Sequence, residues 1–296
     1  MPADLPLPPD LPIVDHHCHL APSGEGVAAA RRFRAAGGTH LFLATQNYEP
    51  RAPRTVDDYR RQFETTEQLA HRIESELGLS VYCVLAPYPI DLVHAAPSIG
   101  LAAAASVQEG ALDLAVAWIR DRRAVALGEV GRPHFPIEDP ALRAESERLF
   151  DAALARARDA DCPAIVHCED LTEEGYRSLA ERARRQGLRP ERVVKHYARA
   201  RVPPARASEI PRSYLAKREV VIDALADDGP WFWETDFLDD PRRPGAVLDL
   251  ETVPRRARWI VSHRPESVER LRIPFEESIR QTYGWVPTVP SGGPRP

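Results

Sequence analysis

The segment VDHHCHL places two imidazoles, His17 and His19, two positions apart at the end of an apolar run. In an extended strand alternate side chains share a face, so Asp15, His17 and His19 project together while His16 and Cys18 take the other side. Neutral imidazole is a good ligand for Zn²⁺ and similar ions, and two from one strand end can reach a single cation. Four more groups able to bind metal end later apolar runs: Glu129 in AVALGEVG, His167 in PAIVHC, His196 in RVVKHY and Asp236 in WFWETDF. Burying such a group without a partner is costly. A shared metal site would supply the partner.

For these side chains to meet, the elements carrying them must point one way. Short β-branched runs (IVDHH, THLFLAT, SVYCVLA, AVALGEV, PAIVHC, RVVKHY and WFWETDF) alternate with longer helical patterns, the sign of repeated βα units and a parallel sheet. Helices are expected over residues 56–77, 101–122, 140–161 and 173–187, with Thr55 or Asp57, Asp139 and Thr172 as caps. EVVIDAL at 219–225 looks like a strand, but its apolar residues fit helical spacing. We assign it to a helix capped by Ser213, which leaves a short seventh strand near Ala207 to Ile210. The expected fold is α/β, a (β/α)8 TIM barrel in one domain over residues 13–286, with the metal site at the C-terminal ends of its strands. A barrel gathers those ends on one rim, so the six groups converge. Proline-rich segments at 1–12 and 287–296 read as extended N-terminal and flexible C-terminal tails.

Composition fits a globular domain: of 296 residues, 43% are hydrophobic and 28% charged. A net charge of −5 gives no overall positive field, so a nucleic-acid substrate would need a local basic patch. The stretch ARARVPPARASEIPRS from Ala198 to Ser213 could form that wall or be a solvated loop. Four cysteines without a CxxC pair suggest reduced thiols, and the N-terminus lacks a secretory pattern. A cytoplasmic protein with no membrane association and no obligate protein partner is expected.

The motifs DHHCHL at 15–20, GEVG at 128–131, VHC at 166–168, KH at 195–196 and ETD at 234–236, in that order, resemble the TatD-related family of metal-dependent hydrolases within the amidohydrolase superfamily. The likeness runs from about Ile13 to Trp285. It implies a binuclear centre in which His17, His19 and Asp236 bind one divalent ion, His167 and His196 bind the second, and Glu129 bridges them. Zn²⁺, Mn²⁺ or a similar ion suits this mixed donor set, and Mg²⁺ is possible. Asp236 would take a proton from the attacking water. The segments GEVGRPHFP and ETDFLDDPRRPGAV resemble a distinct subgroup: the best-known nucleases of the family usually carry Leu-Asp where Arg132 and Pro133 stand.

Beyond these ligands, Arg132 and His134 could hold a phosphate or carboxylate of the substrate, or belong to an ordinary exposed loop. Glu169 could be an outer carboxylate that orients an imidazole, or a solvated loop residue, and Asp15, on the inward face with the histidines, is a candidate outer partner rather than a ligand. Lys195, alternating with His196, should point toward the helices. Tyr88 and the Trp231–Phe232–Trp233 cluster could stack bases or fill the core. The resemblance implies two-metal hydrolysis of a phosphodiester at nucleic-acid ends, as in a deoxyribonuclease or exonuclease. The alternatives are a small-molecule ester, amide, lactone or phosphoester on the same site, and a non-catalytic metal-stabilised binding protein.

Overall fold

The computed structural model describes residues 6–199, 209–227, 229–240, 242–243 and 245–289. It is a (β/α)8 barrel whose strands all pair in parallel: β1 (Val14–His19), β2 (His40–Ala44), β3 (Ser80–Leu85), β4 (Ala126–Gly131), β5 (Ala164–His167), β6 (Val193–Ala198), β7 (Arg212–Leu215) and β8 (Trp231–Glu234). A two-residue strand, β9 (Phe237–Leu238), continues the line of β8 and pairs with β1, which closes the ring. Each parallel neighbour needs a crossover, and helices supply most of them. These are α1 (Val27–Ala35), α2 (Val56–Leu77), α3 (Pro89–Ile99), α4 (Leu101–Arg120), α5 (Pro140–Asp159), α6 (Glu173–Arg185) and α7 (Arg218–Ala224), followed by α8 (Thr252–His263) and α9 (Ser278–Tyr283).

The expected helix starts are present with their capping chemistry. The Thr55 hydroxyl accepts the Asp58 N–H while the Asp58 carboxylate accepts the Thr55 N–H; Asp139 and Thr172 cap α5 and α6. The seventh strand lies a few residues later than expected. Ser213, expected as a helix cap, is buried within β7, and Lys217 occupies the cap position of α7. The neighbouring strands fix this register, Lys195 pairing with Arg212 and Ser213 with Phe232.

Alternate strand positions separate into two apolar layers. Leu41, Leu43, Val81, Cys83, Leu85, Leu127, Val166 and Val193 pack outward on the helices with Phe63, Ile73, Leu112, Phe150 and Leu179. Phe42, Ala44, Val84, Ala126, Ile165, Val194 and Phe232 belong to a second cluster that fills the barrel. The aromatic rings of Tyr283 and Trp285 join it, each about 5–6 Å from Phe42. Leu7 and Leu11, inside the segment expected as a tail, are buried in this cluster, so part of that segment packs on the barrel. Residues 1–5 and 290–296, the outer parts of the expected tails, lie outside the described residues, as do 200–208 of the arginine-rich stretch and Ala207 and Ser208 of the expected seventh strand. All four cysteines are free and buried. Among the described residues no helix is long and apolar enough to cross a membrane.

Candidate metal centre

Two strand irregularities aim the ligands. On β1, Val14 belongs to the barrel-filling cluster and Cys18 to the helix-facing one, although simple alternation would put them on the same side. The pairing of β1 with β2 shifts between Asp15 and Cys18, and this bulge turns His17 and His19 toward a common point. His16, expected to point away from the metals and pack, stacks on Phe232 at 3.9 Å and shares a 2.8 Å hydrogen bond with the Tyr283 hydroxyl. On β4 the shift falls between Gly128 and Val130. Leu127 and Val130 both face the helices, which leaves Gly128 and Glu129 to turn inward. Only glycine fits at 128: a Cβ there would lie 2.7 Å from the Ile165 Cβ and 2.8 Å from the Val84 Cγ1.

The six expected ligands meet at the C-terminal rim. Glu129 Oε1 lies 2.8 Å from His196 Nε2, 3.2 Å from His17 Nε2 and 3.6 Å from His167 Nδ1. His17 and His19 bring their Nε2 atoms within 3.1 Å, and His167 Nδ1 lies 3.1 Å from His196 Nε2. Asp236 Oδ1 stands 3.6 Å from His19 Nε2 and 3.8 Å from His17 Nε2. Asp236 has a left-handed backbone (φ 46°), a region aspartate tolerates, and its N–H donates to the His17 carbonyl at 2.9 Å. His17, His19 and Glu129 form one set of ligand atoms within 4.8 Å of each other, and Glu129, His167 and His196 form another; a third joins His17, His196 and Asp236.

These residues fit divalent cations. Pairs of imidazole nitrogens face each other and one carboxylate oxygen, a ring with more lone pairs than shared protons can satisfy. In the metal-free chain, burial would depress His196, but the Glu129 and Glu234 carboxylates outweigh it and hold its pKa at about 10. His17 is likewise raised: its burial and the neighbouring His196 are overcome by Glu129. Glu129 falls well below the usual carboxylate range because the His196, His167 and His17 imidazoles outweigh its burial. Protons thus balance the Glu129 charge where cations would otherwise do so. Burial lowers His19 to about 4 and lifts Asp236 to about 7. A cation beside Asp236 would favour its ionised form again.

Asp15 contacts a candidate ligand through the backbone: its carboxylate accepts the Thr235 hydroxyl at 2.6 Å, the Thr235 N–H at 3.1 Å and the His17 N–H at 3.2 Å, tying β1 to the start of the Asp236 turn. Arg132 and Glu169 pair with each other through two hydrogen bonds, and Arg132 also reaches Glu147 at 3.3 Å. His134 stands at the rim with Nδ1 3.0 Å from His167 Nε2. Lys195 is buried and folds its Nζ back onto the His196 carbonyl at 2.6 Å. Trp231, Phe232 and Trp233 are core residues. Tyr88 lines the metal cavity, its hydroxyl 3.4 Å from His167 Nε2.

Sequence reasoning missed two carboxylates. Glu234, wholly buried, lies 3.6 Å from His196 Nδ1 and accepts the Tyr197 N–H at 2.7 Å. Its signal was available, since it ends the same apolar run as Asp236. Asp239 accepts the N–H groups of Ala21, Glu25 and Gly26 at 2.7–3.0 Å and so fixes the loop after His19. Nothing local distinguishes it from Asp240. Above the cluster opens a cavity of about 580 Å³, walled by His19, Tyr88, Glu129, His167, His196 and Asp236 among others.

The sequence pattern of the family described as TatD related DNase matches residues 14–284. An uncharacterized protein of Methanocaldococcus jannaschii is 27% identical over 277 residues, covering 92% of this chain and 96% of its own. Among solved structures, the TatD homolog YJJV of Escherichia coli K12 superposes with a TM-score of 0.61 at 19% identity, covering 93% of this chain and 98% of that one. The TatD-like protein of Archaeoglobus fulgidus gives 0.59 at 15% identity, covering 90% and 99%. With the family pattern spanning nearly the whole barrel, the chain belongs to the TatD-related DNase family and is a hydrolase.

Proposed function

We propose that this hydrolase uses two divalent metal ions to cleave phosphodiester bonds, with nucleic-acid ends as substrate. The observation that carries the reading is Glu129: it belongs to both the His17–His19 set and the His167–His196 set, and its Oε1 faces His17, His167 and His196, so it would be the ligand shared between two ions. His17, His19 and Asp236 would hold one ion, and His167 and His196 the other. Imidazole and carboxylate donors favour Zn²⁺, Mn²⁺ or a similar ion. Two such ions, when bound, would supply Lewis acidity that polarises a phosphoryl oxygen and brings the pKa of water toward neutrality.

The chain's own groups supply the rest. Asp236, at the cavity wall and pinned to β1 by its backbone, is placed to take the proton of the attacking water and return it to the leaving oxygen. Glu234 holds His196, and Asp15 holds the turn that presents Asp236. We expect metal-dependent nucleotide release from oligonucleotides, with kcat falling by at least about 10²-fold in Asp236→Asn and Glu129→Gln. Normal turnover by either purified, folded variant would remove this mechanism.

A cavity of about 580 Å³ lies within the range of small-ligand sites and supports a second reading, a small ester, lactone or phosphoester at the same centre. A substrate panel with added Mn²⁺ or Zn²⁺ separates the two. Esterase or lactonase turnover without nucleotide release would select the second.

A further inference from the structure

The loop that departs from the best-known nucleases, Arg132 to Ile137, builds a second cleft of about 330 Å³ beside the metal cavity. The two are continuous, since His134 and Glu169 line both. Pro133, Phe135, Pro136 and Ile137 give the cleft an apolar wall. Arg132 is committed to Glu169 and Glu147, and this network fixes the far side. Arg143 closes the cleft; its guanidinium donates to the Ile137 carbonyl at 3.4 Å and has no carboxylate within ion-pair distance among the described residues.

Phe135 is 38% exposed. Among the described residues the only other large apolar side chain so exposed is Tyr197, which lines the metal cavity. Both rings stand edge-on to histidines of the rim, Phe135 at 5.3 Å from His134 and Tyr197 at 6.4 Å from His196. Leaving these two aromatic faces bare, beside the metal centre and nowhere else described, gives up burial that a purely structural loop would use.

We propose that the 132–137 cleft is a binding subsite for a planar aromatic or heterocyclic group of the substrate, stacked on Phe135, while the adjoining phosphoryl group occupies the metal cavity. Arg143 offers a positive charge to the anionic backbone beside that group. The inference rests on the phosphodiester reading and narrows its substrate to esters carrying such a ring next to the scissile bond.

Calorimetric titration of the Mn²⁺-loaded protein with thymidine 5′-monophosphate and with 1,2-dideoxyribose 5-phosphate isolates the ring, because the second ligand carries hydrogen at the anomeric carbon in place of the base. The expected result is about tenfold tighter binding of the nucleotide. Phe135→Ala should abolish that preference by weakening the nucleotide alone, and Phe135→Tyr should restore it. No preference in the wild-type chain, no effect of Phe135→Ala, or equal weakening of both ligands would overturn the proposal. Oligonucleotide turnover is measured separately. A preserved base preference without nucleotide release would instead count against the phosphodiester reading.

Discussion

Glu234 shows how much a single buried side chain can decide. It does not itself line the cavity, yet it supplies the negative charge behind His196, 3.6 Å from Nδ1. A carboxylate there favours the tautomer with the proton on Nδ1 and leaves Nε2 free to bind a cation. Its own pKa stays low because the His196 interaction overcomes the cost of burial. In Glu234→Gln the amide oxygen can still accept the Tyr197 N–H, but the charge behind the imidazole is gone. Metal affinity should fall by about 10- to 100-fold, read by competition with a chromophoric chelator. Unchanged affinity would reduce Glu234 to a backbone anchor for Tyr197.

At the scale of elements, the two bulges on β1 and β4 do what regular strands cannot. Alternation alone would give each strand end a single inward side chain per pair of residues; the shift at Gly128–Val130 lets both Gly128 and Glu129 turn inward. The convergence of the six candidate ligands could be read from the sequence because each follows an apolar run whose burial needs a partner. The bulges could not, because pairing shifts are set by the neighbouring strand. The seventh strand was misplaced for a similar reason: Arg-Ser-Tyr-Leu is short, and its Arg212 is buried by stacking on the Tyr176 ring rather than by being apolar. The ion pairs of Arg132 were not legible either, because its partners, Glu169 and Glu147, come from separate segments. The β4 bulge has its own test. Gly128→Ala would press a methyl group onto Val84 and Ile165, costing roughly 1–3 kcal/mol in urea denaturation and displacing Glu129 enough to lower metal content. Wild-type stability with full metal content would mean that the barrel interior yields at this point.

For the molecule as a whole, the candidate ligand cluster concentrates ionisable groups in the interior of the barrel. Two carboxylates and four imidazoles share one end of a barrel whose apolar filling includes Phe42, Val84, Ile165, Val194 and Phe232. Such a cluster is stable only with protons or cations among its members, and cations satisfy more of its lone pairs. Metal should therefore stabilise the whole fold as well as the reaction. At a free concentration about 1,000-fold above Kd, a bound ion contributes roughly 4 kcal/mol to the folded state. For a barrel of this size that corresponds to a change in Tm on the order of 10 °C. Thermal unfolding before and after chelation should show a drop of this order, reversed by adding Mn²⁺ or Zn²⁺. Glu129→Gln, which loses the shared charge, should show a smaller chelation effect than the wild-type chain. If chelation leaves Tm unchanged in the wild-type protein and metal analysis finds no bound ion, the cluster is balanced by its own protons and the metal-centred reading fails for the whole molecule.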